Sequence, residues 1–329
     1  MTMSVTDSGA EMGRSSLIGK DGRVRADPEA IARIRQQLRA EPALGALTDL
    51  AVLEAEWGAS GLHFVGTWNA TGADVIVKIG VSPSQRWWTE AISREDPALA
   101  PILFASGGRL GDIDLGWMVS ERLPGGLHAG WHGQEFTMLM AAAARFHRFA
   151  RRHPSGPHSV TTAGDVASWI DSAITRGVPG PAAALLGSVD QDWELVSQAC
   201  PPEICHGDLH MANVLSRTPA PQLSDALLID FEPCLMPWVF EAAYCQVLNS
   251  DPARVGWREL ILLLDEQRGA LGLPTISNIA DLRRVETIVL GWYALRMWSI
   301  IGPDTDPAWR SPQIWRAAID DYVSQAVQS

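Results

Sequence analysis

Lysine is nearly missing from this chain. Of its 26 basic residues only Lys20 and Lys78 are lysine, so arginine serves wherever a generic cation would do and Lys78 calls for a specific reason. Cysteine is sparse too: Cys200, Cys205, Cys234 and Cys245 show no C-x-x-C spacing, which argues for buried free thiols rather than a zinc site or a disulfide framework. His206 and His210 stand four apart with no third ligand in the pattern, and no zinc is assigned. No apolar run reaches the ~18 residues of a membrane helix. The polar stretch Met1 to Arg25 lacks the apolar core of a signal peptide, so a cytoplasmic protein is expected. Neither G-x-x-x-x-G-K-[ST] nor G-x-G-x-x-G occurs, which disfavours a P-loop. A formal charge of −12 argues against nucleic acid as a partner.

What the chain does have is concentrated between Ile204 and Glu232, which reads I-C-H-G-D-L-H-M-A-N-V-L, a turn-rich stretch, then L-L-I-D-F-E. Phosphoryl transfer leaves a protein little covalent work: it must orient an acceptor hydroxyl and hold a divalent cation against the phosphates. His206-Gly207-Asp208, with Asn213 five residues after the aspartate, matches the H-x-D-x-x-x-x-N register of kinase catalytic loops. Asp208 would accept the acceptor's proton and Asn213 would bind metal. Val214-Leu215 reads as a short strand, Arg217 to Asp225 as a turn, and Ala226 to Ile229 as the returning strand. That return sets Asp230 beside the loop, in the position of the D-F-G aspartate that is the principal Mg²⁺ ligand. Alone, an aspartate after an apolar strand reads as a turn residue; Asp208 and Asn213 upstream make it a candidate ligand.

The forms H-G-D-L-H-x-x-N and I-D-F-E resemble those of the aminoglycoside phosphotransferase and choline kinase-like family of small-molecule kinases. No A-P-E or activation segment follows Asp230, unlike in protein kinases. Pro237 and Glu241-Ala242-Ala243 lie where that family has its Gly-Asp-Pro and Asp-Leu-Ala helix start, and Glu232 replaces the glycine of D-F-G, as is normal there. The resemblance spans roughly residues 50 to 300. It implies an α+β, two-lobe protein kinase-like fold, with an N-lobe antiparallel sheet carrying one helix and a mostly helical C-lobe. It also implies ATP (GTP being possible) and Mg²⁺ as cofactors, and a small-molecule acceptor.

Lys78 fits that scheme. It lies in the alternating strand Asp74 to Ile79, which resembles the V-A-I-K strand whose lysine contacts the α/β-phosphates, where a planar guanidinium would not be equivalent. Glu90, on the helix starting near Ser84, is the expected ion-pair partner, with Glu95 as the alternative. Ser60 and Gly61, in Trp57 to Phe64, could cover the phosphates through backbone N–H groups, although glycines in a hairpin turn need no such role. Ser120 to Arg122, at the end of the strand-like run Ile113 to Ser120, would meet the adenine edge through their backbone. For the acceptor the candidates are Glu232, Trp238, Glu241 and Asp251. Trp257, Trp292 and Trp298 read more readily as core, as aromatics at helical spacing usually are.

Organisation follows the same pattern. Asp27-Pro28-Glu29 is a helix start, and helical periodicity marks Phe136 to Phe149, Trp257 to Arg268, Leu282 to Ile300 and Ile314 to Val327, with Val178 to Ala184 a Gly/Pro loop. The expected divisions are a flexible tail at 1–26, a nucleotide-binding N-lobe at 27–121 and a helical C-lobe at 122–329. The expected activity is phosphorylation of a small-molecule hydroxyl, an antibiotic first (aminoglycoside, basic peptide, nucleoside or macrolide). The alternatives are a housekeeping kinase of choline, ethanolamine or sugar type and a non-catalytic nucleotide-binding pseudokinase. The protein is expected as a monomer or homodimer.

Overall fold

Asp27 opens the first helix, α1 (Pro28–Ala40), by accepting the Ala30 N–H at 3.1 Å, and Pro28 fills the first helical position, where no N–H is needed. The structure is a computed structural model that describes residues 17, 24, 27–53, 61–126, 134–178, 180–218, 222–248, 259–276, 278–302 and 312–328. Apart from Leu17 and Val24 the expected tail lies outside these residues, as do Ser60 and Asp251. The chain divides into two compact units, Met1–Pro124 and Gly125–Ser329.

After α1 the first unit runs through β1 (Leu47–Leu53), β2 (Leu62–Trp68), β3 (Ala73–Ile79), α2 (Pro83–Glu95), β4 (Leu103–Gly107) and β5 (Trp117–Glu121). The strands form one antiparallel sheet in the order β1-β2-β3-β5-β4, with β3 at its centre. Ala30, Ile34 and Leu38 recur every four residues as the buried stripe of α1, in one core with Phe64, Val75, Val77, Ile79 and Val119. Side chains alternate across a strand, so Ile76 and Lys78 project from the opposite face of β3. Ser82 caps α2 by accepting the Gln85 N–H at 3.0 Å.

One expectation in this unit is corrected. Extended pairing begins only at Trp117, not at Ile113. Residues 110–116 form a turn in which Leu110 and Ile113 bridge, and the Gly116 carbonyl accepts N–H bonds from both Gly80 and Val81, at 2.9 and 3.0 Å. A Cβ on Gly116 would stand 2.3 Å from the Val81 oxygen. The alternation of Ile113 and Leu115 therefore records burial in the α1 core rather than a strand.

The second unit holds β6 (Gly125–Gly126), α3 (Glu135–Ala150), β7 (Ser159–Val160), α4 (Ala163–Thr175), α5 (Val189–Ala199), β8 (Pro202–Cys205), β9 (Val214–Ser216), β10 (Leu227–Leu228), β11 (Cys234–Pro237), α6 (Val239–Leu248), α7 (Glu259–Ala270), α8 (Ile279–Ile301) and α9 (Pro312–Gln328). Four of these helices answer to the periodicity in the sequence. α6 begins where the resemblance placed a helix start, at Glu241-Ala242-Ala243; α4 and α5 were not singled out, although Thr162 and Asp165 form a reciprocal capping box at the start of α4. α8 packs against α4, α5, α6 and α9. It approaches α9 closely at Gly291, where a Cβ would lie 2.5 Å from Tyr322 Cβ. All four cysteines are free and buried, as expected. No helix among the described residues is long and apolar enough to cross a membrane.

Candidate active site

Two strand pairings fasten the H-G-D-L-H-M-A-N loop at both ends. β8 runs antiparallel to β11, setting Cys205 opposite Cys234, and β9 runs antiparallel to β10, setting Val214 opposite Leu228. The loop from His206 to Asn213 is thereby laid alongside the segment Ile229 to Pro233. Three backbone-anchored bonds join them: Ile229 N–H to Asn213 O at 3.0 Å, Glu232 N–H to His206 O at 3.0 Å, and His206 Nε2 to Ile229 O at 2.8 Å. A carbonyl can only accept, so His206 carries its hydrogen on Nε2, and Nδ1 accepts the Asp208 N–H at 3.3 Å. Complete burial lowers the pKa of this imidazole, which suits a neutral ring fixed in one tautomer. Phe231 fills the space beneath, stacked on Phe146 with centroids 5.3 Å apart and lying 4.9 Å from His206.

Gly207 is the tightest point of this seam. Its φ is +86°, and a Cβ would fall 1.8 Å from the Glu232 carbonyl oxygen. The left-handed conformation alone costs a non-glycine residue about 1–3 kcal/mol. Gly207→Ala is expected to cut turnover by about 100-fold or more, because the loop must move away from Glu232 and misplacement by an ångström has that effect. Steady-state kinetics beside circular dichroism would check this; an alanine variant with normal turnover would mean that the loop has slack the structure does not show.

Asp208 stands at the centre. Its Oδ1 accepts the Tyr244 O–H at 2.8 Å, and its Oδ2 accepts Asn213 Nδ2 at 3.0 Å with His210 Nε2 3.5 Å away. Burial works to raise its pKa, but the bonds and charge offered by His210 and the Tyr244 hydroxyl outweigh it, and the carboxyl is held below the usual range. Asp208 is therefore ionised at neutral pH, able to orient a hydroxyl and accept its proton. A carboxyl depressed in the folded state adds stability above its unfolded pKa, near 4, and loses that contribution as pH falls through the folded value. Tyr244→Phe removes one donor to the charged form, so the Asp208 pKa rises and the acid limb of the pH–rate profile moves up. kcat is expected to fall about tenfold, the scale of one charge-assisted hydrogen bond. An unshifted acid limb would show that Tyr244 does not tune this carboxylate.

Asn213 is buried, and its Nδ2 also donates to the Asp208 backbone carbonyl at 2.8 Å. With its nitrogen turned to Asp208, its Oδ1 is presented as an acceptor. Asp230 has φ +58°, a conformation that a non-glycine residue seldom adopts and that clusters at functional positions. An amide oxygen and a carboxylate are the hard donors that Mg²⁺ prefers, so the residues present fit such an ion.

In the first unit Lys78 is buried at the centre of the sheet, paired with Met118 on one side and His63 on the other. A Cβ on Gly61 would lie 2.4 Å from the Ile79 oxygen and 3.8 Å from Lys78 Cε, so glycine lets the backbone approach the lysine. Glu90 accepts a hydrogen bond from Ser106 Oγ and lies 3.7 Å from Arg86 Nε, while Glu95 meets Arg94 at 3.0 Å. At the strand end the N–H groups of Glu121 and Arg122 are given to the carbonyls of Ile102 and Asp74, both at 2.9 Å. Ser120 is half-buried within β5 and Arg122 is exposed.

Two acceptor candidates are corrected. Trp238 is fully buried with the Arg268 guanidinium 4.3 Å from its ring, and Glu241 is 1% exposed, so neither presents a surface to an acceptor. Glu241 instead accepts the Gly207 N–H at 2.9 Å and meets His147 Nε2 at 3.1 Å, which braces the loop from below. Glu232 is exposed. The sequence reading missed Tyr244. Glu241 and Tyr244 are three apart on α6, on one face of the helix whose start the sequence marks at Glu241, and both reach the loop; that spacing was the signal for Tyr244.

Residues 64–271 match the model of the phosphotransferase enzyme family. Among solved structures the chain is similar to an ethanolamine kinase from Plasmodium vivax (TM-score 0.55, 10% identity, 99% of this chain and 96% of that one). It is also similar to a choline kinase from Cryptosporidium parvum (TM-score 0.56, 11% identity, 92% and 96%). A third is an amicoumacin kinase in complex with AMP-PNP and Ca²⁺ (TM-score 0.53, 12% identity, 92% and 97%). At these identities the likeness speaks for the fold, the two-lobe kinase-like architecture. No curated protein sequence matches the chain.

Proposed function

The chain belongs to the phosphotransferase enzyme family, and on that premise we propose that it moves the γ-phosphoryl group of ATP to a hydroxyl of a small molecule, an antibiotic being the first acceptor class to test. The observation that carries this is Asp208, an ionised carboxylate held at both oxygens on a loop sewn to the Asp230 segment. Asp208 orients the acceptor hydroxyl and takes its proton as the oxygen bonds to phosphorus. Asn213 and Asp230 would hold Mg²⁺, which when bound neutralises phosphate charge. Lys78 would contact the α/β-phosphates and Glu90 would align it; GTP is a possible donor. The H-G-D-L-H-M-A-N form and the arginine-rich, lysine-poor composition support the antibiotic class. A choline-type acceptor would need an aromatic cage, and the burial of Trp238 counts against one there.

The test is Mg²⁺-ATP consumption by the purified chain over a panel of antibiotics and hydroxylated metabolites, with Asp208→Ala in parallel. Turnover on an antibiotic that disappears in the variant supports the reading. Turnover on a sugar or amino alcohol alone moves the protein to a housekeeping kinase. ATP binding without turnover on any acceptor would favour a non-catalytic nucleotide-binding protein.

A further inference from the structure

α4, α6 and α8 bring three aromatic rings around one cation beside Asp208. Arg296 Cζ lies 4.9 Å from the ring centroid of Trp169, 5.7 Å from that of Tyr293 and 5.8 Å from that of Tyr244. The rings also meet one another, with Trp169–Tyr293 and Tyr244–Tyr293 centroids each 5.6 Å apart. A box of rings attracts a cation, which is how quaternary ammonium ligands are held. Here the protein's own guanidinium is the cation in it. Tyr244, one wall of the box, is the residue that donates to Asp208 Oδ1 at 2.8 Å, so the box adjoins the place where an acceptor hydroxyl must sit.

Trp169, Tyr244 and Arg296 are each half-buried, so the group is not sealed in the core. Among the described residues no carboxylate pairs with it. The rings surround the guanidinium carbon, and the N–H donors of a guanidinium form a planar fork that matches the two oxygens of a carboxylate or phosphate. Three rings around it also restrict the long side chain in advance, which lowers the entropy lost when an anion docks. An ammonium entering the same space would find the ring faces occupied and a like charge in place.

We propose that Arg296 is the specificity-determining residue of the acceptor site, selecting a hydroxylated acceptor that carries an oxyanion group and rejecting one that presents an ammonium there. This rests on the reading of Asp208 as the catalytic carboxylate. It narrows the acceptor class away from aminoglycosides, basic peptides and choline-like amino alcohols.

The test uses two unreactive probes, phenylphosphonate and tetramethylammonium, titrated calorimetrically into the full chain, Arg296→Ala and Arg296→Lys. The wild type is expected to bind the phosphonate about tenfold more tightly than the alanine variant does, the scale of a lost bidentate pair. Emptying the box should raise tetramethylammonium affinity about tenfold in the same variant. The lysine variant, which keeps the charge and the stem, should still exclude tetramethylammonium while binding the phosphonate less well; it answers the question if the alanine variant fails to fold. Tighter binding of tetramethylammonium than of phosphonate by the wild type, or no change in either probe on substitution, would overturn the proposal. Asp208→Asn, assayed for turnover in parallel, separates the two ideas. An absent probe preference with Asp208-dependent turnover sinks only the role of Arg296, and a retained preference with turnover indifferent to Asp208 sinks the catalytic reading.

Discussion

Asp208→Asn is expected to lower kcat by about 10³–10⁴-fold while nucleotide affinity changes by no more than about threefold, as for removal of a general base. The substitution is nearly isosteric. An amide oxygen still accepts from Asn213 Nδ2, and the Tyr244 hydroxyl can turn to accept from the new NH₂ instead of donating. The Asn213 bond to the residue 208 backbone carbonyl, 2.8 Å long, does not involve the side chain at all. The loop should therefore keep its shape, and what is lost is the negative charge and the capacity to take a proton. Steady-state kinetics with calorimetry of nucleotide binding measures both halves. A loss of less than tenfold would show that another group receives the proton.

The placement of the candidate catalytic loop was legible in the sequence because it is local. His206, Asp208 and Asn213 lie just before one short hairpin and Asp230 just after it, and apolar runs broken by a turn determine that hairpin's register. The β3 strand with Lys78 was legible for the same reason. The ring box around Arg296 was not, because Trp169, Tyr244 and Arg296 come from three helices whose mutual placement depends on how α8 packs. One of those helices, α4, was overlooked. Trp238 misled for a related reason: closeness in sequence to Glu232 suggested closeness to the site, but β11 carries the chain inward, and α6 begins in the core. The strand predicted from Ile113 failed because periodicity two reports one-sided burial, and a turn lying on α1 satisfies that as well as a strand does.

Arg268→Met is expected to destabilise the fold by about 3–5 kcal/mol, the cost of removing one partner of a buried ion pair. Arg268 is 0% exposed and holds Glu203 through Nη2 at 2.9 Å and Nη1 at 3.4 Å, His147 Nδ1 at 2.8 Å and the Pro274 carbonyl through Nε at 3.1 Å. Its guanidinium can only donate, so His147 must accept at Nδ1 and carry its hydrogen on Nε2, toward Glu241. The order of bonds is thus fixed from Glu203 through Arg268 and His147 to Glu241 and the Gly207 N–H. His147, Cys205 and Glu241 place their ligand atoms within 4.8 Å of one another, as a metal site would, but the positive charge such a cluster attracts is already supplied by Arg268. Methionine preserves much of the volume over Trp238 and leaves the Glu203 carboxylate buried, with the half-exposed Arg151 at 3.3 Å as its remaining cation. The melting temperature should drop by about 4–7 °C, and adding Glu203→Gln should recover part of it, since a neutral amide costs less to bury. Loss of the donor to His147 also frees that ring to turn from Glu241, so the folded fraction should show a several-fold lower kcat with little change in KM. A melting temperature within about 2 °C of wild type, in a chain of this size, would mean that desolvation of Arg268 and Glu203 cancels their attraction. The chain of bonds would then serve to place the loop rather than to hold the fold.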